Sequence, residues 1–435
     1  MIFVTLFKEK IIKNPFFAGS LVMVLGSNIF NAGQFIYHLL TVKFLSNFYG
    51  ETLAKIYYGD IAAMLSFLGI AGLIQLSLGL TIVKFIASQK SQEKIANFSK
   101  WIMYWTVMAG LVICVLTLLV SPFLIKFLNI SQPLAFYLLG PILLFYILIN
   151  SGRSILQGLL QFPKYVLSLL SEVGSKIICL VVLMYAGFAV FGAILSILLG
   201  VFFSFLITRV AISKLLSGPK GPKPEIAPLL KYSFPVLLQG LALTSMYTTD
   251  LLLVKHFFSP EQAGLYAALA VLGRVVFFGT SPVTHVMFPM IAKRHSHGEA
   301  YHNIFYLSVF LVLLVGAAIT LFYYLFPQIP LVVLYKEGFL EGSSLLWWFG
   351  LFMGLLAVAM LFVQFYLSVG KTKVVGLFLG AAFIQTLLIW FIHTSLLTVI
   401  QLSIASVALL VLALFIYFPY HDSPSRWRFG GANKK

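Results

Sequence analysis

The sequence predicts an all-α polytopic membrane protein with about twelve transmembrane helices, arranged as two six-helix lobes that repeat each other in parallel. Of its 435 residues, 61% are hydrophobic and only 9% are charged, and the mean hydropathy is +1.02. Soluble domains carry about 25% charged residues, so lipid must solvate much of this surface. The apolar runs are long and do not alternate with polar residues, which predicts helices and excludes barrel strands.

Twelve apolar runs are long enough to be spans, because about 20 apolar residues cross a bilayer as a helix. They cover residues 17–45, 57–87, 101–127, 133–162, 165–186, 188–216, 230–257, 262–292, 300–326, 343–369, 374–394 and 396–419.

The distribution of lysine and arginine assigns the two sides of the membrane. Connections on the side of the termini hold 21 of the 29 basic residues, those on the other side hold 5, and Arg153, Lys176 and Arg274 lie inside spans. This asymmetry predicts that both termini are cytoplasmic, as in a multi-pass protein of the cytoplasmic (inner) membrane. The net charge of +17 then reflects topology and contact with anionic membrane lipids, and no nucleic-acid partner is expected.

A stretch rich in Gly and Pro at residues 218–224 predicts a linker between two domains. The predicted organisation is an N-terminal cytoplasmic or interfacial segment, an N-terminal lobe, a cytoplasmic linker, a C-terminal lobe and a basic cytoplasmic tail. Their bounds are 1–16, 17–216, 217–229, 230–420 and 421–435.

Landmark residues recur on the two sides of this linker at a common offset of about 207–212 residues. The pairs are Val42-Lys43 with Val254-Lys255, Tyr58 with Tyr266, Lys84 with Lys293, Gln157 with Gln364, and Lys164 with Lys371. Both lobes begin on the cytoplasmic side, which predicts a parallel repeat such as transporters use.

Several motifs carry a resemblance to a known family. They are Tyr58-Gly-Asp60, Leu156-Gln-Gly158, Asp250, Lys255-His-Phe-Phe-Ser259, Ala263-Gly-Leu-Tyr-Ala267 and Arg274. Together with the helix count, the parallel halves and the linker, they resemble the polysaccharide (O-antigen or capsule-type) flippases of the multidrug/oligosaccharidyl-lipid/polysaccharide (MOP) exporter superfamily. The resemblance implies two lobes in a V, with spans 1, 2, 7 and 8 beside a central cleft.

The resemblance also implies a cargo, namely a polyprenyl-pyrophosphate-linked oligosaccharide that is flipped by alternating access for lipopolysaccharide or other polysaccharide biosynthesis. A glycan polymerase or export machinery is the implied protein partner. The related peptidoglycan-precursor flippases place arginines in the first span, whereas span 1 here has none and carries only Lys43 near its outer end. This departure argues against that branch.

Charged groups inside the membrane are costly and are therefore the first candidates for function. Arg153, Glu172 and Lys176 lie at similar depth on either side of the turn between spans 4 and 5. The functional interpretation is a substrate-binding cluster of net charge +1 that binds a diphosphate or acidic sugar. The structural alternative is an ion triad that locks the helical hairpin.

Four further residues complete the candidate set. Asp250 and Arg274, on adjacent spans, form either a salt bridge within the C-terminal lobe or a cleft-lining pair that binds substrate. His38 occupies the position that matches Asp250 and is either a proton relay or a packing histidine. Asp60 is a second coupling candidate, although a solvated carboxylate in the first turn of span 2 is the preferred interpretation.

The sequence does not indicate an enzyme, a cofactor or a metal centre. Gly370-Lys-Thr372 lacks the earlier glycine of a phosphate loop, and the longest outer connections, at residues 46–56 and 327–342, are short for a membrane glycan polymerase or ligase. His295, His297, Glu299 and His302 cluster near one connection and are interpreted as a solvated basic loop rather than a metal site. The runner-up function is a cation-coupled drug or metabolite exporter of the same fold.

Overall fold

The computed structural model describes residues 15–72, 78–79, 82–83, 85–86, 89, 91–217, 227–335, 337–371 and 373–421. Most of the predicted N-terminal segment, of the linker and of the basic tail lies outside the described residues. So does Lys84, one of the repeat landmarks.

Thirteen α-helices and one 3-10 helix make up the described part of the chain. The α-helices, numbered α1 to α13 in order, are Pro15–Ala71, Gln92–Phe127, Pro133–Phe136, Leu139–Gly158, Phe162–Tyr185, Val190–Leu216, Ala227–Phe257, Pro260–Ser296, His302–Leu325, Gln328–Tyr335, Ser343–Ser368, Val374–Phe391 and Leu396–His421. The 3-10 helix is Glu337–Gly342 and lies between α10 and α11.

Eleven helical stretches within the described residues are long and apolar enough to cross a membrane. The first of them, Leu25–Ala71, has 47 residues and would be about 70 Å long if it were straight, more than twice the hydrocarbon thickness of a bilayer. It comprises two helices that meet at Gly50, so the predicted count of about twelve spans and the all-α class are confirmed.

The prediction that residues 46–56 form a connection is wrong. Helix continues up to Gly50 and resumes directly after it, and the reversal is made by Gly50 alone, with φ 78° and ψ 167°. Polar residues such as Asn47, Glu51 and Lys55 made this stretch look like a loop. The second long connection, 327–342, is also mostly helical, because it contains α10 and the 3-10 helix.

Many large apolar side chains remain exposed, as expected for helices that face lipid. Leu119 is 71% exposed, Phe123 67%, and Ile416 68%. Patches of this kind are rare on soluble monomers. In hydrocarbon they cost nothing, and the backbone polar groups are satisfied within each helix.

The chain forms two compact units, Met1–Leu237 and Leu238–Lys435. In the first, α5 packs along α1 and α6, and α4 packs on α2 and α6. In the second, α11 is the central helix and packs on α8, α9 and α13, while α12 packs on α13.

The burial pattern of the first unit recurs in the second. In α5 the buried positions include 166, 169, 172, 173, 176 and 180, and each of these positions plus 209 is buried in α12. Most buried positions of α4 recur in α11 at an offset of 207. Equivalent side chains of the two units can therefore be compared directly.

Candidate substrate-binding and coupling residues

Arg153 and Glu172 form an ion pair inside the N-terminal unit. Arg153 Nη2 of α4 lies 2.8 Å from Glu172 Oε2 of α5, and the two side chains are 5% and 2% exposed. The contact is an ion pair without hydrogen-bond alignment, because Glu172 Oε2 is left without a hydrogen-bond donor. Tyr146 approaches the other oxygen, its hydroxyl donating to Glu172 Oε1 at 3.5 Å.

The remaining contacts of Arg153 are with neutral groups of α5 and α6. Arg153 Nε donates to Ser168 Oγ at 2.8 Å, and Nη2 donates to the Ser168 carbonyl oxygen at 2.9 Å and to Ser204 Oγ at 2.8 Å. Ser168 Oγ also lies 2.7 Å from Thr208 Oγ1. The guanidinium thus ties α4, α5 and α6 together through Nε and Nη2.

Lys176 lies one helical turn from Glu172 but has different neighbours. It is 3% exposed, its ammonium donates to Gln34 Oε1 of α1, and Nζ lies 4.3 Å above the ring of Tyr37. Tyr37 is itself fixed, because its hydroxyl donates to the carbonyl oxygen of Ala193 at 2.8 Å. Both of these contacts of Lys176 are with neutral groups, so the predicted surplus of one positive charge resides on this ammonium.

Close packing of α6 holds Lys176 and Glu172 in place. A Cβ atom on Gly200 of α6 would lie 2.8 Å from Lys176 Cβ and 2.9 Å from the carbonyl oxygen of Glu172. Only a glycine allows α6 to approach α5 this closely, since real Cβ atoms almost never make such contacts.

The C-terminal unit builds the same helix packing without these charges. At the recurring offsets, Met360 stands where the first unit has Arg153, Ala381 where it has Glu172, and Gln385 where it has Lys176. Gln385 even keeps the contact with the first helix of its unit, because its Nε2 donates to the Met246 carbonyl oxygen at 3.1 Å. Met246 is the counterpart of Gln34 at an offset of 212. The helical hairpin therefore folds without an ion pair.

Asp250 and Arg274 lie on adjacent helices, as predicted, but take separate partners. Asp250 is fully buried and its Oδ2 accepts from the Tyr266 hydroxyl at 2.8 Å. Arg274 Nη2 donates to the Tyr247 carbonyl oxygen at 2.8 Å, and its guanidinium lies 5.3 Å from the centre of the Tyr247 ring. The direct salt bridge suggested by the sequence is absent among the ion pairs of the described residues.

His38 has a contact equivalent to that of Asp250. Its Nδ1 lies 3.1 Å from the hydroxyl of Tyr58, and Tyr58 and Tyr266 are the tyrosines matched by the internal repeat. In each unit, therefore, a titratable side chain of the first spanning helix contacts a buried tyrosine of the second spanning helix. The residue type differs between units, but the pairing is the same.

The interpretation of Asp60 as a solvated carboxylate in the first turn of a helix is wrong. Asp60 is fully buried and lies ten residues after Gly50. Its Oδ2 accepts from the backbone N–H of Ser131 at 2.9 Å and from the Ser131 hydroxyl. The carboxylate therefore anchors the turn between α2 and α3.

The histidines near the start of α9 are not brought together as a metal site. Within the described residues, no three His, Cys, Asp or Glu side chains are placed to hold a metal ion. Glu299 instead lies 4.0 Å from Arg294 Nε, both side chains being exposed.

A family model described as "Polysaccharide biosynthesis protein" matches residues 53–344, which is more than half of the chain. This chain belongs to the polysaccharide biosynthesis protein family. An uncharacterized membrane protein of Methanocaldococcus jannaschii is 26% identical over 349 residues, covering 74% of this chain and 80% of that protein.

Solved structures show the fold of this family member. An inward-facing MATE family multidrug resistance transporter of the MOP superfamily matches with a TM-score of 0.75 and 14% identity, over 89% of this chain and 95% of that chain. The lipid II flippase MurJ, in an inward closed conformation, matches with a TM-score of 0.70 and 15% identity, over 91% and 87%. The predicted MOP fold with two lobes is confirmed, and these neighbours are transporters or flippases rather than enzymes.

The sequence does not predict the neutral partners of the charged residues. The charged residues are surrounded by neutral side chains, namely those of Ser168, Ser204, Gln34 and Tyr37. Isolated polar residues are common in spans, so their presence alone does not predict these contacts. One signal was available: Ser168, Glu172 and Lys176 recur every four residues on one face of α5, as expected for a buried polar stripe.

Proposed function

We propose that this family member flips a lipid-linked oligosaccharide across the cytoplasmic membrane by alternating access. Both termini, the linker and the tail are assigned to the cytoplasm, with lobes at 17–216 and 230–420. The observation that carries the proposal is the buried ammonium of Lys176, whose hydrogen bond to Gln34 and ring contact with Tyr37 are with neutral groups.

A diphosphate is the anion that such a site favours. Lysine binds phosphate as a point charge, and attraction between opposite charges strengthens as water is excluded. An anion at Lys176 would replace the neutral Gln34 oxygen as acceptor, so no existing ion pair has to be broken. The polyprenyl chain stays in lipid while the charged headgroup passes.

Arg153 and Glu172 act as positioning residues in this proposal. The sequence suggested Arg153 as the direct donor, but its Nε and Nη2 donate to Ser168 and Ser204, and its charge is paired with that of Glu172. The ion pair fixes α5, and with it Lys176. Asp250 with Arg274 is proposed as a second substrate-responsive site, and His38 and Asp60 are proposed to couple transport to a proton or ion gradient.

Complementation of a strain that lacks its polysaccharide flippase tests the proposal, with protein abundance measured by quantitative blotting. Lys176→Gln copies the C-terminal unit and should reduce glycan export roughly tenfold or more at normal abundance, because a hydrogen bond to a charged group contributes about 1.5–3 kcal/mol. Lys176→Arg keeps the charge and should retain part of the export.

Lys43→Gln is the matched control, since Lys43 is an exposed lysine of the same unit that contacts none of these residues. It should export normally. Normal glycan export by Lys176→Gln at normal abundance would refute the role of Lys176 in binding the cargo. Failure of the wild-type protein itself to restore glycan export would refute the flippase proposal and favour the exporter of a drug or metabolite, which needs no anion-binding lysine.

A further inference from the structure

Four rings meet at one end of the C-terminal unit, where α7 and α12 finish. His256 stacks on Trp390 with ring centres 5.9 Å apart and planes 11° apart. Phe257 stacks on His393 at 3.8 Å and 13° and meets Trp390 edge-on at 5.2 Å and 74°. We call His256, Phe257, Trp390 and His393 the aromatic–imidazole cluster.

The cluster is accessible from outside the unit. Trp390 is 41% exposed, and His256, Phe257 and His393 are partly exposed. His393 Nδ1 lies 3.2 Å from the Ile389 carbonyl oxygen, and this contact orients the ring. The cluster thus combines an indole that is 41% exposed with two partly exposed imidazole rings.

The N-terminal unit has an aromatic cluster in the equivalent place, where the first helix of α1 and α5 end. Phe44 and Phe48 stack with centres 6.0 Å apart, and each meets Tyr185 at 5.5 Å. Phe48 and Tyr185 are 48% and 70% exposed. This second cluster contains no imidazole.

The difference between the two clusters distinguishes membrane anchoring from ligand binding. Tyr, Trp and Phe at the ends of spans anchor a protein in the interface of the membrane, and both clusters serve that purpose equally well. Anchoring does not require two histidines stacked within the cluster. Imidazole rings that donate and accept hydrogen bonds beside a partly exposed indole suit a ligand with an apolar face and a polar rim.

We propose that the aromatic–imidazole cluster is a carbohydrate-binding site. The C–H groups of one face of a pyranose ring pack on the indole of Trp390, while the ring hydroxyls reach the edges of His256 and His393. By the predicted topology the cluster lies on the outer side, where it would hold a sugar of the glycan after translocation. That role and the side of the membrane rest on the proposed function, but the binding itself does not.

Saturation-transfer NMR tests the site with the full-length protein in nanodiscs and three free probes: chitotriose, maltotriose and mannotriose. At least one trisaccharide should receive saturation at its ring C–H protons. Trp390→Leu, which keeps an apolar side chain, should reduce the transfer about tenfold, and Trp390→Phe should retain part of it. His256→Ala with His393→Ala should also reduce it.

Phe48→Leu with Tyr185→Leu is the matched control in the other unit and should leave the transfer unchanged. Size-exclusion and thermal unfolding profiles check that each variant is folded. The proposal is overturned if none of the three sugars shows transfer that Trp390→Leu removes, or if both clusters affect it equally. This experiment uses free sugars and measures no transport. A negative binding result therefore does not affect the export experiment with Lys176→Gln, and a negative export result does not affect the binding experiment.

Discussion

Arg153 is the residue for which the structure separates a structural role from a binding role most clearly. Removing one partner of a buried ion pair costs about 3–5 kcal/mol, whereas replacing both by apolar residues is often neutral. The C-terminal unit already shows this replacement, with Met360 and Ala381 at the equivalent positions. Arg153 and Glu172 therefore should be dispensable for folding only as a pair.

We expect Arg153→Ala to lower protein abundance, because Glu172 keeps a buried charge without its ion-pair partner. Arg153→Met with Glu172→Ala should restore abundance to near the wild-type level and retain a measurable part of the export, since Lys176 is still present. Quantitative blotting and thermal unfolding in detergent measure both effects. An Arg153→Ala protein as abundant as the wild type would contradict the ion-pair account.

How well the sequence predicts the contacts of individual side chains depends on the type of contact. The grouping of Arg153, Glu172 and Lys176 followed from helix geometry and the cost of buried charge. The neutral partners did not, because which serine faces an arginine depends on how three helices pack. Asp250 and Arg274 were paired by charge alone, and the nearer hydroxyl of Tyr266 and carbonyl oxygen of Tyr247 were missed.

Gly50 determines how the two helices of α1 are connected, because it reverses the chain within one residue. Its φ of 78° and ψ of 167° lie in a region that is essentially restricted to glycine. The positions and lengths of the spans followed from hydropathy. This turn did not, since hydropathy contains no information on backbone dihedral angles.

Gly50→Ala should destabilise the protein by about 1–3 kcal/mol through backbone strain alone, because a Cβ there meets no atom within 4 Å. Gly174→Ala is the control: it also meets no atom within 4 Å but lies inside α5, where alanine is favoured by about 1 kcal/mol. Thermal unfolding should shift in opposite directions for the two variants. Equal shifts would refute the assignment of strain to Gly50.

The approach of α6 to α5 makes a second prediction for the elements. Gly200→Ala brings a Cβ within 2.9 Å of the Glu172 carbonyl oxygen, so α6 must move away from Lys176. Overpacking of this kind typically costs about 1–3 kcal/mol, and export should fall along with stability. Unchanged thermal unfolding and export for Gly200→Ala would show that the helices are not held this closely.

For the whole molecule, the parallel repeat relates two units with similar helices and different chemistry. The charge distribution predicts that residue 220 is cytoplasmic and that the 3-10 helix Glu337–Gly342 lies outside. In a variant without Cys114 and Cys179, Lys220→Cys should resist an impermeant thiol reagent added to intact cells, whereas Glu341→Cys, an exposed position, should react. Labelling of residue 220 from outside would overturn the topology.

Transbilayer movement of a lipid-linked sugar in proteoliposomes is a direct test of the proposed flippase activity. Vesicles containing the purified full-length protein and a fluorescent polyprenyl-diphosphate disaccharide are treated with an impermeant quencher. With the protein present, nearly all of the fluorescence should become accessible over time. With Lys176→Gln, quenching of the inner-leaflet fraction should be slower by about tenfold or more. If wild-type protein leaves the inner-leaflet fraction protected, under an imposed ion gradient as well as without one, the proposed flippase activity is refuted.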